Sequence, residues 1–208
     1  MRVSNNEIRE KVEYKFFNVG ENMRDDIINY LKLEIKNRVE NENNKFGIGV
    51  LYHIEAVVKN AEILADKYNA DKEVCLIAAW LHDIASITNY KLYEEHHIHG
   101  ARMANEILKK FEYDDEKNEL VKKCILNHRG SIDNKRLSKE EQVVADADAI
   151  SHFDSIPSLL YLAYKEKNMN IEDGKDFVKS KLERSFRKLS SESKIFYKEK
   201  FETSMKIL

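Results

Sequence analysis

The residues best suited to chemistry are a histidine and an aspartate side by side, His82 and Asp83, inside the most apolar stretch of the chain, VCLIAAWLHDIASI. An unpaired carboxylate in a low-dielectric interior costs several kcal/mol, so both groups need a partner there, and a metal ion is one candidate. The other imidazoles strengthen that reading, because all seven histidines fall between positions 53 and 152 of a 208-residue chain. His53 lies four residues before Val57, on what reads as an inward helix face; His96, His97 and His99 open a later helix; His128 closes another in ILNHRG. Two further carboxylates, Asp146 and Asp148, follow a pair of valines in VVADADAI. Imidazole nitrogen mixed with carboxylate oxygen suits Mn, Fe, Co, Ni or Zn, with Mg also admissible, in one or two ions. Four protein ligands on a metal that prefers six positions leave two places for water and a substrate oxygen.

Taken in order, His53, then His82 and Asp83 in AAWLHDIA, then His96 in HHIHGARMANEIL, then His128 in CILNHRG, then the Asp pair in VVADADAI, the pattern resembles that of the HD-domain superfamily. The resemblance covers about residues 48–155. It implies a metal held by His53, His82, Asp83 and Asp148, with His96 and His128 as ligands of a second ion and Asp83 between the two. Helical geometry allows only one aspartate of the DAD motif to face an ion, since residues two apart point about 200° away from each other. The choice of Asp148 over Asp146 comes from the resemblance. So do the expected roles of His96, His128 and Asp83 in catalysis. His96 and His128 would either bind the second ion or, in a one-metal site, contact the phosphate and protonate the leaving group. The catalytic role expected for Arg129 comes from its proximity in sequence to His128. The implied activity is metal-dependent phosphohydrolysis: a metal-activated water opens a phosphoester or phosphoanhydride of a nucleotide or related small molecule. A diiron oxygenase and a non-catalytic, nucleotide-sensing helical module are the competing readings. One departure concerns charge, because many relatives carry a phosphate-contacting lysine three residues after the Asp, where this chain has Ser86 in HDIAS. Arg129 and Lys91, both in loops beside candidate ligands, are the expected substitutes. His97 and His99 read as solvent-facing or supporting residues, and His152 reads as helix surface.

These residues need helices to position them. One proline and six glycines in the whole chain fit helices joined by short turns. The expected fold is all-α, one compact HD-type helical domain over residues 1–208 with about eight helices and extensions on both sides of the motif-bearing core. Segments 5–18 and 21–42 read as amphipathic helices, with Ile27, Ile28, Leu31, Leu33 and Ile35 supplying apolar positions. ENNKFGIG breaks the pattern, and a helix from Leu51 to Tyr68 follows. Asp71 reads as the N-cap of a central helix carrying the whole VCLIAAWLHDIASI run. Helices are also expected over 95–110, 115–127 and 139–154, the last opened by a Ser138/Glu141 capping box, with two more in the C-terminal third.

A net charge of −2 and a pI near 6.4 give no basic field for nucleic acid. The Lys-rich stretch after Tyr164 alternates with acids and reads as solvated helix face. With 35% charged residues and mean hydropathy −0.61, no window has the apolar length of a membrane span. MRVSNNEIREK lacks a signal-peptide core, so the expected location is the cytoplasm. Cys75 and Cys124 read as small buried hydrophobes. The expected partner is a small phosphorylated molecule, and a homodimer stays open.

Overall fold

Helices begin and end in this chain where side chains can satisfy their free backbone groups. The computed structural model describes residues 23–129 and 135–208, so the helix expected over 5–18 lies outside the described residues. The next one spans Asp25–Val39 (α1), with Asp25 and Asp26 in its first turn and Lys36 and Arg38 in its last, each sign matching the helix dipole. Ile27, Ile28, Leu31 and Ile35 are buried as expected. Leu33 is instead 61% exposed, because two residues past Leu31 is the far side of the helix.

Helix α2, Gly49–Tyr68, starts two residues before the expected Leu51 and buries Ile54, Val57, Ala61, Leu64 and Ala65. It stops at Asn69, whose left-handed conformation (φ 50°) lets its N–H donate back to the carbonyl of Ala65. The Asp71 carboxylate accepts from the N–H of Val74 and opens α3, Lys72–Leu81, in which every residue from Glu73 onward is buried. Its position is central, packed against α1, α2 and the later helices over Asp115–Asn127 and Lys139–Asp154.

The expected continuous helix through VCLIAAWLHDIASI is broken. Asp83, at φ −108° and ψ 11°, leaves the helical region, and a new short helix, α4, covers Ile84–Thr88. A 3-10 turn over Tyr90–Glu95 leads into α5, His96–Lys110. Gly100 allows α5 to pass close to the break, since a Cβ there would stand 3.6 Å from the His82 carbonyl and 3.3 Å from Ile125. Asp114 caps α6, Asp115–Asn127.

Ser138 caps α7, Lys139–Asp154, by accepting from the N–H of Glu141. Only half of a capping box forms, because the Glu141 carboxylate instead accepts from the Asn127 side chain at 2.6 Å. Helix α7 is buried on nearly all sides and packs most extensively against α2. Pro157 lies in the first turn of the short α8, Ile156–Tyr161, followed by a π-type turn over Leu162–Glu166. The C-terminal third holds α9, Ile171–Lys188, and α10, Ser191–Ile207. Among the described residues the structure is all-α, with eight helices of ten residues or more and two short ones. No described helix is long and apolar enough to cross a membrane. Cys75 and Cys124 are buried and unpaired.

Asp146 illustrates how α7 divides its labour. It is fully buried and faces the start of α10, accepting from Ser190 N–H (3.0 Å), Ser190 Oγ (2.6 Å), Ser193 Oγ (2.7 Å) and Gln142 Nε2 (2.9 Å). Asp146→Ala orphans several buried donors at once. It should lower stability by about 3 kcal/mol, or roughly 6–12 °C in Tm, while leaving metal uptake intact. Thermal denaturation and metal analysis of the same sample check both parts, and lost metal with unchanged Tm would refute the assignment.

Candidate metal centre

The break after α3 is what brings His82 and Asp83 to one place. Adjacent residues in a continuous helix diverge by about 100°, whereas here both side chains reach the same centre. His53 comes from α2, Asp148 from α7, His96 from the first turn of α5, and His128 from the residue that ends α6. His53 Nε2 stands 3.3 Å from His82 Nε2 and 3.5 Å from Asp148 Oδ1. Nearby, His96 Nε2 stands 3.1 Å from His128 Nε2. Asp83 lies between the two clusters, with Oδ2 3.4 Å from His82 Nε2 and 3.7 Å from His53 Nε2, and Oδ1 3.4 Å from His96 Nε2. Two groups result, His53/His82/Asp148 and Asp83/His96/His128, each with its donor atoms within 4.8 Å of one another.

Hydrogen bonding on the far side of each ring fixes what the near side offers. Nδ1 of His82, His96 and His128 each points at the carbonyl three residues back, of Ala79, Tyr93 and Ile125, at 2.8, 2.7 and 2.6 Å. A carbonyl only accepts, so each Nδ1 carries the proton. His53 Nδ1 stands 2.9 Å from Ser151 Oγ, whose single hydrogen goes to the Asp148 carbonyl, so His53 also donates from Nδ1. All four Nε2 atoms therefore present lone pairs to the centre, alongside two carboxylates. Lone pairs facing at 3.1 and 3.3 Å repel unless a cation lies between them, which is the donor set that a divalent transition metal fits.

Protons are a poor substitute for that cation. Burial pushes His53 down to about 4 and holds His128 well below the ordinary imidazole value. For His82 burial also lowers the pKa, but the adjacent Asp83 outweighs it and the net shift is upward. Burial acts to raise both carboxylates, yet Asp148 is held well down by Lys188 and His152, and Asp83 by His82.

Two residues around the centre escaped the sequence reading. His152, expected on the surface, is buried because α9 covers the last turn of α7. Its ring stacks on His53 at 4.9 Å, its Nδ1 donates to Ser185 Oγ at 3.0 Å, and its Nε2 lies 3.9 Å from Asp148 Oδ1. Lys188, from the Lys-rich stretch expected to be solvated, has a side chain only 6% exposed that pairs with Asp148 Oδ2. A stripe at Phe177, Lys181, Arg184, Ser185 and Lys188 was the available signal, one helix face on which basic residues share space with Phe177. Of the expected charge donors, Arg129 lines the cavity above the centre and contacts the backbone and carboxylate of Glu94, while Lys91 is exposed and lies away from it. Ser86 is buried with no hydrogen-bond partner for its Oγ among the described residues. His97 is buried on α5 and His99 pairs with Glu95 at 3.6 Å; neither belongs to the two groups.

The family described as HD domain matches residues 50–152, the stretch that holds His53, His82, Asp83, His96, His128 and Asp148. The chain belongs to the HD-domain superfamily. A crystal structure of a predicted HD superfamily hydrolase from an uncultured Thermotogales bacterium shares the HD-domain fold, with a TM-score of 0.53, 20% identity, and coverage of 81% of this chain and 91% of that one. An uncharacterized protein of Clostridium beijerinckii is 30% identical over 126 residues, which span 60% of this chain and 76% of that protein. A tRNA (cytidine(56)-2'-O)-methyltransferase of Picrophilus torridus is 31% identical over 138 residues, and the match spans only 38% of that enzyme.

The two clusters of this HD-domain protein generate a direct expectation. Protein stripped with a chelator and reloaded with Mn or Co should take up about two ions, rise in Tm as metal is added, and fall to about one ion in His96→Ala or His128→Ala. Elemental analysis after gel filtration reads the count, and two ions retained in His128→Ala would rule out the second cluster as a site.

Proposed function

We propose that this HD-domain protein is a metal-dependent phosphohydrolase that opens a phosphoester or phosphoanhydride of a nucleotide or related small molecule, using a metal-activated water. The supporting observation is the convergence of four bare imidazole Nε2 atoms and two carboxylates at one centre, of which His53, His96, His128, Asp83 and Asp148 line a cavity of about 630 Å³ and His82 lies buried behind them. Divalent ions bound there would supply Lewis acidity toward phosphoryl oxygens and a water of lowered pKa.

In this reading His53, His82, Asp83 and Asp148 would hold one ion, and His96 and His128, with Asp83, would hold a second. Ser151 and the three backbone carbonyls keep the rings in the tautomer that leaves Nε2 free. Lys188 orients Asp148, and Arg129, braced by Glu94, offers a planar fork to a phosphoryl oxygen at the cavity edge. Residues 1–208 would form one HD-type domain, with α1, α9 and α10 as extensions of the core. Two unpaired buried thiols fit a reducing, cytoplasmic setting.

Purified protein loaded separately with Mn, Co, Ni and Fe should release phosphate from part of a panel of nucleotides, dinucleoside polyphosphates and cyclic dinucleotides. Asp83→Ala should cut that rate by about a thousandfold, the loss of roughly 4 kcal/mol of transition-state stabilisation. Silence across the panel with every metal, or oxygen consumption by the ferrous protein without phosphate release, would overturn the hydrolase assignment.

A further inference from the structure

The cavity has a strong sign that the chain as a whole lacks. Its walls carry six cationic side chains, Arg129, Lys167, Lys181, Arg184, Arg187 and Lys188, against two carboxylates, Asp83 and Asp148, although the protein's formal net charge is −2. Four of the six belong to α9, outside the residues 50–152 that match the HD family. Lys181, Arg184 and Lys188 recur at three and four residues and so form one stripe of the helix. Lys188 is engaged by Asp148, while Lys181, Arg184 and Arg187 make no ion pair among the described residues. Like charges held along one wall repel, and a cleft of one sign concentrates ions of the other.

From Lys181 to Lys188 the helix rises by about 10 Å, too far for one phosphate group to touch both ends. Elsewhere on the same cavity the walls are aromatic. Phe46 lies 5.4 Å from both Tyr90 and Tyr93, and the two tyrosine rings are parallel within 2° at 5.8 Å. Tyr93 in turn stacks on His96 at 5.7 Å, so this platform runs outward from the metal centre. Flat π faces of this kind accept a nucleobase without regard to its hydrogen-bonding edge.

We infer that the site is built for a nucleoside carrying two or more phosphates, with the phosphate chain laid along the α9 cations and the base against Phe46, Tyr90 and Tyr93. The inference rests on the phosphohydrolase reading of the same centre, and it separates a polyphosphorylated nucleotide from a simple phosphomonoester.

Calorimetric titration of the metal-loaded protein with AMP, with methylene-bridged analogues of ADP and ATP, and with inorganic tripolyphosphate tests it. Affinity should rise about tenfold with each added phosphate, as expected for charge-assisted contacts, and the gain should shrink as salt is raised. In the double variant Arg184→Gln/Arg187→Gln, whose sites are both exposed and make no ion pair among the described residues, the ATP analogue should lose at least tenfold more affinity than AMP does. Tyr90→Ala should weaken the nucleotides and leave tripolyphosphate almost unchanged. An affinity that does not grow with phosphate number, or a gain that survives the double variant, would overturn the inference, and turnover of monophosphates in that case would leave the hydrolase reading intact. A steep gain in affinity with no turnover of any phosphorylated compound would support the α9 assignment while defeating the hydrolase reading.

Discussion

Six groups with lone pairs or negative charge face one another at the centre of this molecule, and left to themselves they repel. Each imidazole is turned so that its proton lies outward, on a carbonyl or on Ser151, and this orientation commits every Nε2 to the interior. The arrangement is stable only with positive charge inside it. The helices around the centre are the scaffold that withstands this repulsion: α2 and α7 lie side by side to fix His53 and Asp148, and the break between α3 and α4 aims Asp83 between the two histidine pairs.

The surroundings show how the charge is balanced. Lys188 pairs with one oxygen of Asp148 and leaves the other toward His53. Burial drives His53 and His152 away from protonation, while for His82 the adjacent Asp83 outweighs burial and the shift is upward. Asp146, two residues from Asp148, spends its charge on the hydroxyls and N–H that start α10, which removes a competing carboxylate from the site.

Much of the fold could be read from periodicity and caps, because those signals are local. Asp71 and Ser138 cap the helices they were expected to cap, and α5, α6 and α7 occupy nearly their expected ranges. The six residues of the ordered His/Asp pattern meet in space, yet nothing local distinguished Asp148 from Asp146. That distinction depends on α10 supplying hydroxyls to one aspartate and α9 supplying a lysine to the other. The break at Asp83 was hidden by an apolar run that reads as helix throughout. His152 looked superficial because its burial comes from α9, a helix distant in sequence, and Lys188 looked solvated for the same reason.

This division between local and distant signals has a functional counterpart. The stretch shared with the HD family, residues 50–152, contains every group of the two clusters. The wall above them lies largely outside it, and most of the wall's positive charge comes from α9. A metal centre constrains its ligands to a few ångströms and so resists change, whereas a cationic wall tolerates substitution one side chain at a time, since each exposed charge contributes modestly. Family membership therefore speaks to the reacting centre. The charge of the cavity wall comes from residues whose signal, in a lysine-rich amphipathic helix, looks like ordinary solubility until α9 is folded back over the centre.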